Sequence, residues 1–228
     1  MKRLAIIPAR GGSKRLPDKN IKDFCGKPMI GHILHQAKAS KLFDTIHVST
    51  EDDKVKKTVE DLGFVIDFPR PDNLSDDYTP LIDVLRFVVG HYKQRGQSFD
   101  QVWLLMACTP LIDAKMLCDA SSVFESGGGK NPVLGVAEFP VPIDWAYLID
   151  NKGLLSPCVP GAGMKRSQDM PTHYYDAGAL VIYHPDEIAS GKDASDFLPY
   201  IIPRQYAVDI DTEEDWKFAE ILYRGISK

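Results

Sequence analysis

Short apolar runs alternate with amphipathic stretches from the first residues onward, and few architectures accept that alternation. It predicts βαβ units wound around a buried, mostly parallel sheet. Residues 4–7 are the first such run, and Pro28 then opens a helix in which Ile30, Ile33, Leu34 and Ala37 recur at helical spacing. Residues 46–49 read as a second strand. Asp52 or Asp53 starts the next helix, which carries Val55, Val59 and Leu62, and Gly63 suits the left-handed residue that ends it. Residues 64–66 are expected to return to the sheet.

Pro80 starts a further helix with Leu81, Leu85, Val88, Val89 and Tyr92 on one face, and the apolar run 102–106 is the expected central strand. A helix over 114–126 is stopped by Gly127, Gly128 and Gly129, ahead of a strand over 133–137. Between residues 139 and 175 the pattern dissolves: Pro140, Pro142, Pro157, Pro160 and Pro171 interrupt it, with Gly153, Gly161 and Gly163 between them. That stretch is expected to be an extended excursion from a single domain that spans residues 1–228. Strands are expected again over 180–183 and 206–210, before Thr212 caps a last helix with Asp215 completing a capping-box variant.

Composition narrows the partners. With 27 Lys and Arg against 32 Asp and Glu, the net charge of −5 leaves no global positive field for nucleic acid or an anionic membrane, so any anion must be met locally. The cysteines Cys25, Cys108, Cys118 and Cys158 show neither metal spacing nor a disulfide framework, which suits a reducing compartment. No apolar run approaches a membrane span, and the first residues lack the apolar core and cleavage site of a signal peptide. A cytoplasmic protein is the expectation.

The most informative segment is the loop after the first strand, which runs Pro-Ala-Arg-Gly-Gly-Ser-Lys-Arg-Leu-Pro-Asp-Lys-Asn over residues 8–20. In an open α/β sheet, ligands bind outside the carboxyl ends of the strands, where this loop would lie. Its glycines let backbone N–H groups approach an anion, and Arg10, Lys14, Arg15 and Lys19 can neutralise several negative charges together. The loop reads as a polyphosphate cradle, with a solvated basic loop as the alternative. Neither GxxxxGK[ST] nor GxGxxG is present, so neither a P-loop nor a dinucleotide fingerprint supports it.

A second signal is Asp209-Ile210-Asp211. Residues two apart on a strand face the same way, so with Ile210 in the core both carboxylates could hold one hard divalent cation, Mg²⁺. The alternative is that Asp211 only precedes the last helix while Asp209 is solvated.

Taken in order, Arg10-Gly11-Gly12-Ser13-Lys14 with Lys19-Asn20, Arg70-Pro71 with Leu74-Ser75-Asp76-Asp77, Arg166-Ser167-Gln168-Asp169, and Asp209-Ile210-Asp211-Thr212 resemble the motifs of the cytidylyltransferases that activate nonulosonic, sialic-acid-like sugars as CMP conjugates. The resemblance covers nearly the whole chain. Arg166 to Pro171 followed by Tyr174-Tyr175-Asp176-Ala177-Gly178 most resembles the pseudaminic acid branch.

The resemblance implies a Rossmann-like nucleotide-diphosphosugar-transferase-type α/β domain and a homodimer in which the excursion reaches across to the partner. It implies CTP and a sugar acid as substrates, Mg²⁺ as cofactor, and a CMP-sugar for surface glycans or flagellin as product. By motif, Arg10, Gly11, Gly12, Ser13, Lys14, Lys19, Asn20 and Arg70 would bind the nucleotide, with Lys19, Arg10 and Asp211 catalytic. Asp209 and Asp211 would bind metal. Arg166, Gln168 and Tyr175 would meet the sugar.

Two departures separate the chain from the sialic acid enzymes it resembles. They carry a glutamine in the central strand-end motif where this chain has Leu105-Met106-Ala107, and an arginine and an asparagine where it has Tyr175 and Ala177. A pocket for N-acetylneuraminate would lose polar partners there, each worth about 1–3 kcal/mol when left unmatched. CMP-N-acetylneuraminate, CMP-legionaminate or CMP-octulosonate synthesis, or a non-catalytic CTP-binding module, are the alternatives. Trp103 and Trp216 are expected to be packing residues, and Cys108 a small core residue rather than a nucleophile.

Overall fold

A computed structural model describes residues 1–190 and 196–226. In chain order the elements are β1 (Arg3–Pro8), β2 (Asp23–Phe24), β3 (Lys27–Pro28), α1 (Met29–Ser40), β4 (Thr45–Ser49), α2 (Asp53–Asp61), α3 (Leu81–Gln94), β5 (Gln101–Leu105), α4 (Ala114–Ser126), β6 (Val133–Glu138), β7 (Tyr147–Ile149), β8 (Leu155–Pro157), β9 (Tyr174–Tyr183), α5 (Pro185–Ser190), β10 (Leu198–Ile201) and α6 (Glu213–Ile226). Six strands form one sheet in the order β10-β6-β9-β5-β1-β4. Only β9 runs against the others, pairing antiparallel with β5 and β6. The remaining pairs, β1 with β4, β1 with β5 and β10 with β6, are parallel.

Strand periodicity explains the two-faced core. Ala5, Ile7, Trp103 and Leu105 pack with Ile30, Leu34 and Leu117 on one face. Leu4, Ile6, Val102 and Leu104 pack with Leu85, Val88 and Tyr92 on the other. β5 is buried along its whole length, as the apolar run 102–106 predicted.

The helix ends follow local chemistry. The Asp52 carboxylate accepts from the N–H groups of Lys54 and Val55 at the start of α2, and Gly63 follows α2 with φ +79°. Asp113 caps α4, and Gly128 and Gly129, both at positive φ, keep the chain from continuing that helix. Thr212 and Asp215 form the expected reciprocal cap: Thr212 Oγ1 accepts from Asp215 N–H at 3.2 Å, and Asp215 Oδ2 accepts from Thr212 N–H at 2.8 Å.

Two strand expectations need correction. Residues 64–66 form no strand: Phe64 N–H donates back to the Val59 carbonyl at 3.1 Å, and Phe64 and Ile66 only pack against the core. Residues 206–210 also lie outside the sheet. Val208 and Ile210 are buried there while Asp209 faces outward, so the alternation of a strand is present, but the segment packs on side chains rather than on another strand. A strand that the pattern does not signal, β10, contains Pro199 and sits at the sheet edge, where a missing N–H is tolerated.

A third apolar cluster decides where the site lies. Leu16, Phe24, Met29, Cys108, Val208, Ile210 and Trp216 pack together at one end of the sheet. Leu16 is 2% exposed and pins the middle of the basic loop, a burial that contributes roughly 1.5–3 kcal/mol. The same cluster holds the 206–212 segment against that loop.

The excursion leaves the sheet after β6 and returns at β9. It is built from the β7–β8 hairpin and three short 3₁₀ turns, and Trp145 Nε1–H donates to the Ala162 carbonyl at 3.1 Å to tie two of those turns together. Among the described residues no helix is long and apolar enough to cross a membrane.

Candidate active site

A cleft of about 450 Å³ opens beyond the carboxyl ends of β1 and β5, lined by Arg10, Ser13, Lys14, Arg15, Lys19, Asn20, Arg70, Asp77 and Asp211 with an apolar wall of Leu81, Met106 and Ala107. The loop after β1 is held from several sides. Ala9 N–H donates to the Ser49 carbonyl at 3.0 Å, and Asn20 Nδ2 donates to the Arg10 carbonyl at 3.1 Å. Gly11 N–H donates to Glu51 Oε1 at 2.9 Å. A side chain at Gly11 would overlap the Asp52 carboxylate. Gly11 is therefore required for close packing on the α2 cap, and its N–H is spent on Glu51 rather than aimed into the cleft. Gly12 has open space around it.

Arg70 comes from the segment beyond β4. Its guanidinium is buried and donates to Ser49 Oγ at 3.1 Å and to the Ser49 carbonyl at 2.7 Å. Burial, only partly offset by Glu51, and the nearby Arg10 draw its pKa below the ordinary arginine value.

The cations of the loop are arranged in two clamps, each closed by one carboxylate. Arg10 Nη1 donates to Asp77 Oδ1 at 2.5 Å, and Lys14 forms a close ion pair with Asp77 Oδ2. Arg15 Nη2 donates to Asp211 Oδ2 at 2.7 Å, and Lys19 Nζ to Asp211 Oδ1 at 2.8 Å. Lys19 also donates to the Ile210 carbonyl at 2.5 Å. Burial alone would lower the Lys19 ammonium, but the hydrogen-bonded Asp211 carboxylate and the nearby Asp209 reverse the sign and hold it above its ordinary value. Burial pushes Asp211 up; Lys19 and Arg15 outweigh it and hold this carboxyl low. The hydrogen bonds from Lys14 and Arg10 hold Asp77 low as well.

Asp209 is in a different state. The residue is exposed on one side, yet its carboxylate lies against Gly178 and accepts from Cys108 Sγ–H at 3.0 Å. Desolvation and the neighbouring Asp211 raise its pKa. Burial and Asp209 push the Cys108 thiol up to about 12, which keeps it protonated and makes it a donor, not a nucleophile.

Among the described residues no group of three or more His, Cys, Asp and Glu side chains gathers as a metal cluster. The pair that remains, Asp209 and Asp211, has the hard oxygen donors Mg²⁺ takes when phosphate and water complete its shell. A cation there would offset both the desolvation and the repulsion from Asp211 that raise Asp209.

The expected nucleotide residues thus converge: Arg10, Ser13, Lys14, Lys19, Asn20 and Arg70 line one cleft with Asp211. The expected sugar residues do not join them. Arg166 is exposed on the excursion and paired with Asp169 at 2.8 Å, and Gln168 beside it is also exposed. Tyr175 lines a separate depression of about 680 Å³ with Glu138, Ile201, Arg204 and Phe218. Sequence reasoning missed Glu51, which orients Gly11, and the clamping role of Asp77. The Ser75-Asp76-Asp77 motif was the one signal that pointed to that segment.

Comparison with known proteins gives the family. Residues 4–117 match the family model described as Cytidylyltransferase. The pseudaminic acid cytidylyltransferase of Campylobacter jejuni is 35% identical over 228 residues, covering 98% of this chain and 97% of that protein. The CMP-N,N'-diacetyllegionaminic acid synthase of Legionella pneumophila is 28% identical over 232 residues, covering 97% and 96% respectively. Among solved structures, a CMP:2-keto-3-deoxy-manno-octonic acid synthetase complexed with CTP superposes with a TM-score of 0.72 at 18% identity, over 99% of this chain and 100% of that one. That likeness is one of fold.

Proposed function

The chain belongs to the cytidylyltransferase family and is a nucleotidyltransferase, and from that premise we propose that it joins CTP to a nonulosonic acid, pseudaminic acid foremost, giving the CMP-sugar and pyrophosphate. The observation that carries this reading is the convergence of Arg10, Lys14, Arg15, Lys19 and Arg70 on one cleft of nucleotide size. The full-length similarity to the Campylobacter jejuni enzyme supports the choice of sugar.

In this reading the anomeric hydroxyl attacks the α-phosphorus and gives up its proton to water, a new P–O bond forms and the bond to the pyrophosphate leaving group breaks. Arg10, Lys14 and Arg15 neutralise the outer phosphates. Lys19, fixed by Asp211 and the Ile210 carbonyl, meets charge that develops as pyrophosphate departs. Asp209 and Asp211 would hold Mg²⁺, which supplies further charge neutralisation when bound. Met106 and Leu81 give the cleft an apolar wall, unlike the glutamine that sialic acid enzymes would place at the strand end.

The proposal extends to a homodimer. The excursion turns Leu148, Ile149, Leu154 and Leu155 outward, and Ile201, Phe218 and Ile221 form a second exposed apolar area. Pairing two copies through these areas would carry Arg166 and Gln168 toward the partner's cleft. The protein acts in the cytoplasm, where its nucleotide substrate is made, and its product feeds surface glycan or flagellin glycosylation.

The test is pyrophosphate release with CTP and Mg²⁺ across a panel of sugar acids. Turnover fastest with pseudaminic acid is expected. Preference for legionaminic acid is the second reading, favoured by the Legionella pneumophila relative. CTP binding without turnover on any sugar would overturn the enzymatic reading.

A further inference from the structure

Each loop cation in the cleft has an internal partner, but the partners are not equivalent. Lys19 keeps the Ile210 carbonyl besides Asp211, and its side chain is only 12% exposed. Arg10 and Lys14 both rely on Asp77, with one carboxylate oxygen each. Among the described residues Asp77 accepts only from those two cations.

The segment is shaped to deliver this carboxylate. Asp76 Oδ1 accepts from the N–H groups of Tyr78 and Thr79, at 2.9 and 2.7 Å, and from Thr79 Oγ1 at 2.7 Å. Ser75 Oγ–H donates to the Pro71 carbonyl at 3.0 Å. The turn is thereby closed on itself, and Asp77 projects across to a loop more than sixty residues earlier in the chain. The charge-assisted donors of Arg10 and Lys14 are the ones a phosphate would need.

We infer that Asp77 competes with the phosphates for Arg10 and Lys14, weakening the hold on the triphosphate and hastening departure of pyrophosphate. This rests on the nucleotide reading of the cleft. A phosphate that recruits these cations either displaces the carboxylate or binds beside it against like charge; both weaken binding. Asp77 is a tuning residue that acts through the two cations and touches no reacting atom.

The experiment is calorimetric titration of the full chain and of Asp77→Asn with inorganic pyrophosphate, CTP and CMP. Asp77→Asn is expected to bind pyrophosphate and CTP about tenfold tighter, with a smaller shift for CMP. The tightening shrinks at high salt. In turnover, the variant shows a lower KM for CTP and stronger inhibition by pyrophosphate, and Asp77→Glu, which keeps the charge, restores weaker binding. Asp77→Ser serves the same test if Asp77→Asn does not fold. Unchanged or weaker pyrophosphate binding in a folded variant overturns the inference, as does a larger shift for CMP than for pyrophosphate. Failure of the wild-type chain to bind CTP overturns this and the nucleotide reading together. Normal CTP binding with no turnover on any sugar overturns the enzymatic reading only, and the binding comparison still decides the role of Asp77.

Discussion

The cleft and the excursion are built on opposite terms. In the cleft, side chains meet partners far away in sequence: Arg15 reaches Asp211 across 196 positions, and Arg10 reaches Asp77 across 67. The excursion is held by local contacts, with Arg166 paired three residues on and β7 paired to the adjacent β8. Its apolar side chains face solvent, Leu148 at 66% and Leu155 at 63% exposure. The cations of the cleft are paired within one chain, while the apolar surface of the excursion is left open. The difference separates a part whose contacts join distant segments of one chain from a part whose apolar side chains are covered by nothing in that chain.

The strongest way to break that comparison is to open the inner clamp. Asp211→Asn removes the partner of Lys19 and Arg15 and a carboxylate of the proposed metal pair. Turnover is expected to fall by about a thousandfold with the melting temperature nearly unchanged. Full activity in a steady-state assay would remove Asp211 from the chemistry.

Acid should strain the sheet beneath the cleft before it touches the excursion. His47 on β4 is buried and stacked on Phe68 at 4.3 Å between ring centroids, and neither ring nitrogen has a hydrogen-bond partner among the described residues. Burial lowers its pKa from 6.5 to about 4; Asp67 opposes that shift, and His91, Arg70 and Arg95 add to it. The unfolded chain therefore takes up a proton below 6.5 that the folded one refuses until about 4. Stability is full above pH 6.5 and falls as pH drops through that window, by on the order of 3 kcal/mol. Denaturant titrations at pH 7 and 4.5 measure this, and His47→Phe should flatten the slope. An unaltered slope in that variant would assign the acid sensitivity elsewhere.

On the other side of the comparison, Leu148→Asp places a charge in the open apolar hairpin. If that surface joins two copies, the dimer dissociation constant rises about a hundredfold in sedimentation equilibrium, while CTP binding in the cleft persists. An unchanged association state would show that the excursion does not mediate pairing.

The smallest effect is expected at Gly11→Ala. The new methyl overlaps the Asp52 carboxylate, which must leave its cap on α2, costing about 1 kcal/mol of stability and moving the loop that carries Arg10. A melting temperature and KM for CTP equal to wild type would mean that Asp52 moves freely.

Most of the framework was legible because it is local. The 3.6-residue stripes of α1 and α3, the Asp52 cap, the Thr212–Asp215 cap and the apolar run of β5 each carry their own signal. Position of the basic loop after β1 was enough to locate the cleft, since strand ends in this architecture converge. The errors came where pattern and pairing part company. Residues 206–210 keep strand alternation without a ladder, and β10 forms a ladder despite Pro199, because pairing depends on which neighbour has a free edge.

By itself, then, the sequence determined the long helices and the central strands, the cationic composition of the loop and the separation of a charged end from an irregular excursion. Those properties reside in neighbouring residues and survive in any chain that orders them so. Only the tertiary structure decided that Asp77 and Asp211 divide the cations between them, that Gly11 spends its N–H on Glu51, and that Arg166 and Gln168 stand away from their own cleft. Each of these depends on which distant segments the apolar clusters bring together, and hydrogen-bond donors choose among partners only once folding has fixed what lies within reach.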